Sequence, residues 1–260
     1  MIIDCFTFFD ELDILEIRLE ELYPVVDKFV ICESTKTHTG IAKELNFILN
    51  KDRYEKYIDK IIYVICDDMP EGQDDWKREN YQRNYLIKGL IDTDPGDLIF
   101  LSDCDEIPNR DSVKDILEYF KDYPYSIPLT LQFHCYYGKI SHRVIHPKDH
   151  EKMKGTIVIP YGCDISNFQN YRNNKDSYPS RHYGGWHFSY IGDVEKIKKK
   201  IESYAHSEFN TPEVKAKIQE RLNNNQDLLG REDFIVIKTD IDETYPIAVI
   251  NNIEKYRNII

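Results

Sequence analysis

The chain has 260 residues, 41% of them hydrophobic and 31% charged, with a formal net charge of −12. That length is enough for a full core in one large domain or two small ones, and the lack of any low-complexity tract excludes a disordered or fibrous chain. The negative balance excludes wholesale binding along a nucleic-acid backbone, which needs a basic face to release counterions, and leaves open a single phosphorylated small molecule if a metal ion supplies positive charge.

The first stretch, "IIDCFTF" (2–8), reads as a strand. In "ELDILEIRLEELYPVV" the residues Leu12, Leu15, Leu19 and Leu22 form a helical stripe that Pro24 closes. "KFVICES" (28–34) and "KIIYVIC" (60–66) are the second and third strands. "DDWKRENYQRNYLIKGLI" (74–91) is helical, with Asp74 or Asp75 as its N-cap and Gly89 near its end. "DLIFL" (97–101) is a fourth strand, and "RDSVKDILEYF" (110–120) the helix behind it. This alternation predicts a mostly parallel, twisted α/β sheet with helices on both faces. Beyond residue 120, "SIPLTLQFHCYYGKI" and "GTIVIPYG" read as longer, partly antiparallel strands, separated by a polar stretch (164–182) from the strand "RHYGGWHFSYIG". "DVEKIKKKIESYAHSEF" and "TPEVKAKIQERLNNNQDLLG" read as two helices, and the tail beyond 231 as short strands and turns. No Pro/Gly/Ser-rich linker separates residues 1–120 from 121–260, so the two halves are expected to form one domain.

Six cysteines stand singly at 5, 32, 66, 104, 135 and 163 without a C-x-x-C pair, and the first four end apolar runs. They are expected to be small buried residues, neither zinc ligands nor disulfide partners. No apolar run approaches the ~20 residues that span a bilayer, and "IIDCFTFFDE" is too acidic and too short for a secretion signal, so a soluble, cytoplasmic protein is expected.

The densest chemistry lies in "DLIFLSDCDEIPNRDSV" (97–113), where Asp103, Asp105 and Glu106 follow directly on a buried strand. Open α/β sheets place ligands past the carboxyl ends of their strands, and carboxylates one residue apart repel unless a cation lies between them. Mn²⁺ or Mg²⁺ commonly bridges such carboxylates to substrate phosphates; the plain alternative is that one Asp caps the helix beginning near Asn109. Upstream, Arg83 in "KRENYQRN" either pairs with Glu79 at i,i+4 or offers a planar guanidinium to a pyrophosphate. Glu33, after the second strand, either accepts hydrogen bonds from a ribose or base or caps a turn. In "GGWHFSYIGDVE", Gly185 allows a close backbone approach, Trp186 offers an aromatic face and His187 a neutral nitrogen ligand, with His206 its rival. His142, His146 and His150 are spaced like a helical metal face, but Pro147 breaks that geometry and they read as loop residues.

Taken together, "FFDELDILEIRLEEL", "DKFVICESTKTHTG", "YQRN", "FLSDCDEIPNR" and "GGWHFSYIG" resemble glycosyltransferase family 17, from residue 1 to about residue 210. The resemblance implies a GT-A fold, a UDP-GlcNAc donor, Mn²⁺ (or Mg²⁺) dependence, inversion at the anomeric carbon and a glycan acceptor. It assigns Asp103, Asp105 and His187 to the metal, and Thr7, Glu33, Ser34, Arg83 and Asp103 to the nucleotide. Gly185 and Trp186 fall to the acceptor side. Arg83 and the metal would neutralise the departing UDP. An inverting displacement needs a carboxylate to take the acceptor's proton. Glu195, at the start of the helix after the Trp-His segment, is the candidate, with Asp193, Glu106 and Glu208 open; an acid in a first helical turn also has a purely electrostatic reason to be there. Golgi members of the family carry an N-terminal membrane anchor, and no run in this sequence reads as one, so none is expected here. Two other classes compete: a phosphatase of the haloacid dehalogenase type, which also places D-x-D after a strand but usually opens its fold with it, and a non-catalytic nucleotide-sugar-binding module.

Overall fold

Unbroken apolar runs in the first hundred residues become strands covered on both faces. The computed structural model describes residues 1–123, 126–145, 153–160 and 162–260. Its first half runs β1 (Ile2–Phe8), α1 (Leu12–Leu22), β2 (Lys28–Ser34), a short α2 (Asn46–Leu49), β3 (Ile61–Cys66), α3 (Asp75–Tyr85), β4 (Leu98–Asp103), β5 (Glu106–Pro108) and α4 (Arg110–Asp122). β1, β2, β3 and β4 are parallel, in the spatial order β3-β2-β1-β4. Alternation along each strand divides the core. Phe6 and Phe8 join Phe29, Ile31 and Phe100 on one face, with Leu15 and Leu19 of α1 and Val113 of α4. Ile3 and Cys5 join Val30, Cys32, Ile99 and Leu101 on the other, against Tyr81 and Tyr85 of α3. Cys5, Cys32, Cys66 and Cys104 are buried as free thiols, as their positions predicted.

The second half comprises β6 (Leu129–Tyr137), β7 (His142–Ile145), β8 (Met153–Pro160), α5 (Phe168–Asn173), β9 (Ser180–Ser189), α6 (Val194–Ser203), α7 (Pro212–Ala216), α8 (Ile218–Asn223), β10 (Ile235–Lys238) and α9 (Ile247–Asn251). β8 pairs antiparallel with β4 and β6, so one sheet continues through both halves of the chain as β3-β2-β1-β4-β8-β6-β7-β10. β9 lies off this line, parallel to β6 and antiparallel to β5. The α/β class with a mixed sheet is therefore as expected.

Several elements differ from the sequence reading. α3 stops at Tyr85 and tightens into a 3₁₀ turn over Leu86–Gly89, where Gly89 packs so closely on Val30 that a Cβ would lie 2.3 Å from it. The 211–230 segment breaks at Lys217 into α7 and α8. α5, inside the polar stretch, is held by the Asn167 cap and by only two buried residues, Phe168 and Tyr171, too few to give a periodic signal. His142 opens strand β7, opposite Lys238 of β10, and is not in a loop; His146 and His150 lie outside the described residues. The C-terminal segment returns to the start of the chain. Ala248, Val249, Tyr256 and Ile259 pack with Ile14 and Ile17 of α1, and Ile140 N–H donates to the Ile259 carbonyl at 2.8 Å.

Candidate functional site

In the order β3-β2-β1-β4 the chain switches sides between β1 and β4, and a crevice opens outside their carboxyl ends. Thr7 and Asp103 are paired in register there. The resulting cleft, about 510 Å³, is lined by Thr7, Ser34, Arg83, Asp103, Asp105 and His187 among others. The loop after β4 is fixed from two sides. From α1, the fully buried Arg18 donates to the carbonyls of Asp103 (3.0 Å), Cys104 (3.2 Å) and Glu106 (2.8 Å), while its remaining nitrogens hold Asp4 (2.7 and 2.5 Å) and Ser102 Oγ (2.6 Å). From β9, Phe188 N–H donates to the Asp105 carbonyl at 2.9 Å, and the Glu106–His187 register of β5 and β9 brings His187 alongside Asp105.

Asp103 accepts hydrogen bonds from Arg83 (2.9 Å) and Arg172 (2.8 Å) and a longer one from Thr7 Oγ1 (3.4 Å). Arg83 also pairs with Glu79 at 3.0 Å, as the i,i+4 spacing predicted, and donates to Gln169. Its Nε is buried without a hydrogen-bond partner. Arg172 grips the buried Glu106 with both terminal nitrogens, at 2.8 and 2.6 Å. Burial alone would raise the pKa of Asp103, yet Arg172 and Arg83 outweigh it and hold the carboxyl well below the usual range. Asp105 meets Lys200 Nζ at 2.7 Å and His187 Nε2 at 3.5 Å. Against the same burial, these two cations depress its pKa, and Asp105 in turn holds the His187 imidazole well above its ordinary value. Neither aspartate caps α4, because Asn109 does so itself through Asp111 N–H and Ser112 N–H.

A divalent cation tests this donor set. Asp105 Oδ1 and His187 Nε2 face each other as a hard oxygen and an imidazole nitrogen, a fitting pair for Mn²⁺ or Mg²⁺. Among the described residues no three His, Cys, Asp or Glu side chains come together as a ligand group, so Asp103, Asp105 and His187 are not gathered into one cage. The residues fit a site whose remaining ligands are phosphate and water, the usual habit of Mg²⁺, and not an all-protein cage.

Other expected residues lie elsewhere. Glu33 is fully buried and accepts from Lys43 Nζ (2.6 Å), Asn46 N–H (2.6 Å), Phe47 N–H (2.9 Å) and Tyr63 Oη (2.8 Å). It therefore caps α2, and no lone pair is left for a ribose. Trp186 points into the core and donates to the Thr244 carbonyl at 2.9 Å; it is no acceptor platform. Gly185 lets β9 approach β5: at φ +148° a Cβ would sit 2.0 Å from the Ile107 carbonyl oxygen. Gly185→Ala is accordingly expected to cost about 2–4 kcal/mol, read as a lowered urea midpoint. Glu195 is 81% exposed on the outer side of α6, paired with Lys198, and does not line the cleft. Asp193 caps α6, and Glu208 pairs with His206 at 2.7 Å on the rim. His187, not His206, stands beside Asp105. His206 instead meets Trp76 edge-on at 4.6 Å, on a wall that continues through Tyr204 and Tyr190 to Tyr137.

Sequence reasoning missed Arg172, Lys200, Trp76 and Arg18. Arg172 lies in a stretch without periodicity, and Lys200 in a lysine run that looks like a solvated face. Arg18 did carry a signal, since it interrupts the α1 stripe three residues after Leu15 and four before Leu22.

Residues 1–253 match the model of glycosyltransferase family 17. The chain is similar to proteins named β-1,4-mannosyl-glycoprotein 4-β-N-acetylglucosaminyltransferase from Homo sapiens and Rattus norvegicus, each 29% identical over 231 residues, covering 76% of this chain and 42% of the relative. The Mus musculus protein of that name is 28% identical with the same coverage. The chain thus spans less than half the length of these curated relatives. A solved structure of 2-C-methyl-D-erythritol 4-phosphate cytidylyltransferase from Francisella tularensis aligns with a TM-score of 0.35 and 12% identity over 78% of this chain and 98% of that one, a likeness too slight to bear on function.

Proposed function

The chain belongs to glycosyltransferase family 17, and from that premise we propose that it is an inverting, metal-dependent transferase moving N-acetylglucosamine from UDP-GlcNAc to a glycan hydroxyl. The donor sugar follows the name its relatives bear. One observation carries the reading: at the end of β4, Arg83, Arg172 and Lys200 converge on Asp103, Asp105 and Glu106, so an otherwise anionic protein gathers cations at one cleft, where a divalent ion would supply the further positive charge that a diphosphate needs. A GT-A arrangement is part of the proposal, with Thr7, Ser34 and Asp103 at the ends of three parallel strands.

Asp105 and His187 would hold the divalent ion. When bound, that ion supplies charge neutralisation for the departing UDP. Arg83, with its fork fixed by Glu79 and Gln169, is preorganised to place a guanidinium charge at the cleft wall beside a phosphate. The acceptor hydroxyl needs a carboxylate to take its proton. Glu195 is turned away from the cleft, whereas Glu106, Glu11 and Glu79 line it, each paired with a cation (Arg172, Lys200 and Arg83), and are the candidates. The aromatic wall from Tyr137 to Trp76 suits the apolar faces of sugar rings. A phosphatase of the haloacid dehalogenase type would need Asp103 as a free nucleophile, and two guanidinium groups hold it.

The purified protein with Mn²⁺ and a panel of nucleotide sugars is expected to release UDP from UDP-GlcNAc and to melt higher in its presence. Phosphate release from simple esters, lost in Asp103→Asn, would replace this reading with the phosphatase. Tight UDP binding with no turnover of any donor would replace it with the binding module.

A further inference from the structure

The cations around the two aspartates are held differently. Arg83 and Arg172 are each tied to further partners, Glu79 and Gln169 for the first and Glu106 for the second, so neither can leave Asp103 without breaking a fork. Lys200 is a compact charge on a flexible four-carbon stem. Its ammonium contacts Asp105 at 2.7 Å and Glu11 at 3.2 Å and lies 5.7 Å from the Tyr190 ring. The burial of Ile197 and Ile201 sets the face of α6. Lys196 and Lys199 consequently reach Asp13 (3.7 Å) and Asp10 (2.6 Å), while Lys200 alone of the three contacts Asp105.

A divalent ion at Asp105 with Lys200 still in place would put three positive charges on that carboxylate, with Glu11 beside the ammonium offsetting only part of them. That repulsion is relieved when the ammonium moves away from Asp105, and within the cleft an arriving diphosphate is an anion able to receive it. We propose that Lys200 is a placeholder cation: it neutralises Asp105 while the cleft holds no metal, is displaced by the divalent ion, and then contacts the diphosphate of the nucleotide. The second half of this exchange rests on the nucleotide-sugar reading above; the competition for Asp105 does not. The exchange makes metal and nucleotide bind with positive coupling, since each supplies what the other's arrival lacks.

The test is titration of the ligand-free protein with Mn²⁺ alone, followed by free manganese in electron paramagnetic resonance, and then titration with UDP at saturating Mn²⁺. Lys200→Met is expected to bind Mn²⁺ at least about tenfold more tightly than the parent and UDP about tenfold more weakly, two changes of opposite sign. Lys200→Gln, which keeps a hydrogen-bond donor for Glu11, repeats the measurement should the methionine variant fold poorly, and melting curves taken alongside report folding. A lysine that only braced α6 would lower the melting temperature and leave Mn²⁺ affinity unchanged or weaker, and that result overturns the proposal. Tighter Mn²⁺ binding with unchanged UDP affinity would overturn the transfer to the diphosphate. If the parent binds Mn²⁺ but neither UDP nor any nucleotide sugar, the functional reading fails while the competition for Asp105 is still decided by the first titration.

Discussion

Replacing Arg18 with methionine is expected to cost about 3–5 kcal/mol of folding stability, seen as a fall in the urea midpoint at unchanged slope. Arg18 is fully buried and makes six hydrogen bonds, two to Asp4, one to Ser102 and one each to the carbonyls of Asp103, Cys104 and Glu106. Its removal leaves the Asp4 carboxylate buried without a counterion and three carbonyls short of a donor, and an unpaired buried charge costs far more than the pair contributes. Adding Asp4→Leu should therefore restore part of the loss, since the two residues act as a unit. An Arg18→Met protein as stable as the parent would show that the loop after β4 is held by β9 alone.

The largest effect on activity is expected from Asp105→Asn: a drop of about 10²–10³-fold or more in the turnover of UDP-GlcNAc with Mn²⁺. The substitution preserves shape while removing the charge that faces His187 and Lys200. Donor affinity without metal should fall far less, because Arg83 and Arg172 contact Asp103 and not Asp105. A variant that keeps parental turnover and parental Mn²⁺ dependence would remove Asp105 from the metal site. Steady-state kinetics, with melting temperature as a control for folding, decides between the two outcomes.

The parallel half was legible because its strands are buried on both faces, and burial of that kind leaves an unalternating apolar run in the sequence. β2 and the Asp74 cap fall where the residues placed them. The site was legible where position alone settles it: Asp103, Asp105 and Arg83 meet the cleft because the end of β4 and the inner face of α3 must. Glu33 was ambiguous because an acid after a strand looks the same whether it serves a ligand or a turn, and its partners come from a 43–63 region with no clear period. Trp186 could have been resolved. Side chains alternate along a strand, so Trp186 and Phe188 share the core face of β9, while His187 and Ser189 turn toward the cleft. Glycines beside an aromatic suggested a ligand, but the close approach they permit is that of β5. Lys200 could not be found this way, since nothing local distinguishes it from Lys199; only the packing of α6, through Ile197 and Ile201 in one cluster with Tyr137, Tyr190 and Ile218, does.

The return of residues 247–260 to α1 has a consequence for biosynthesis. Ile14 and Ile17 emerge from the ribosome early but find Ala248, Val249, Tyr256 and Ile259 only when more than two hundred further residues have been made. Until then α1, which carries Arg18, has one apolar flank uncovered, and closing so long a loop is entropically costly. The nascent chain therefore exposes a sticky helix until residues 247–260 have been made, and the packing that backs the acidic loop after β4 is complete only from that point.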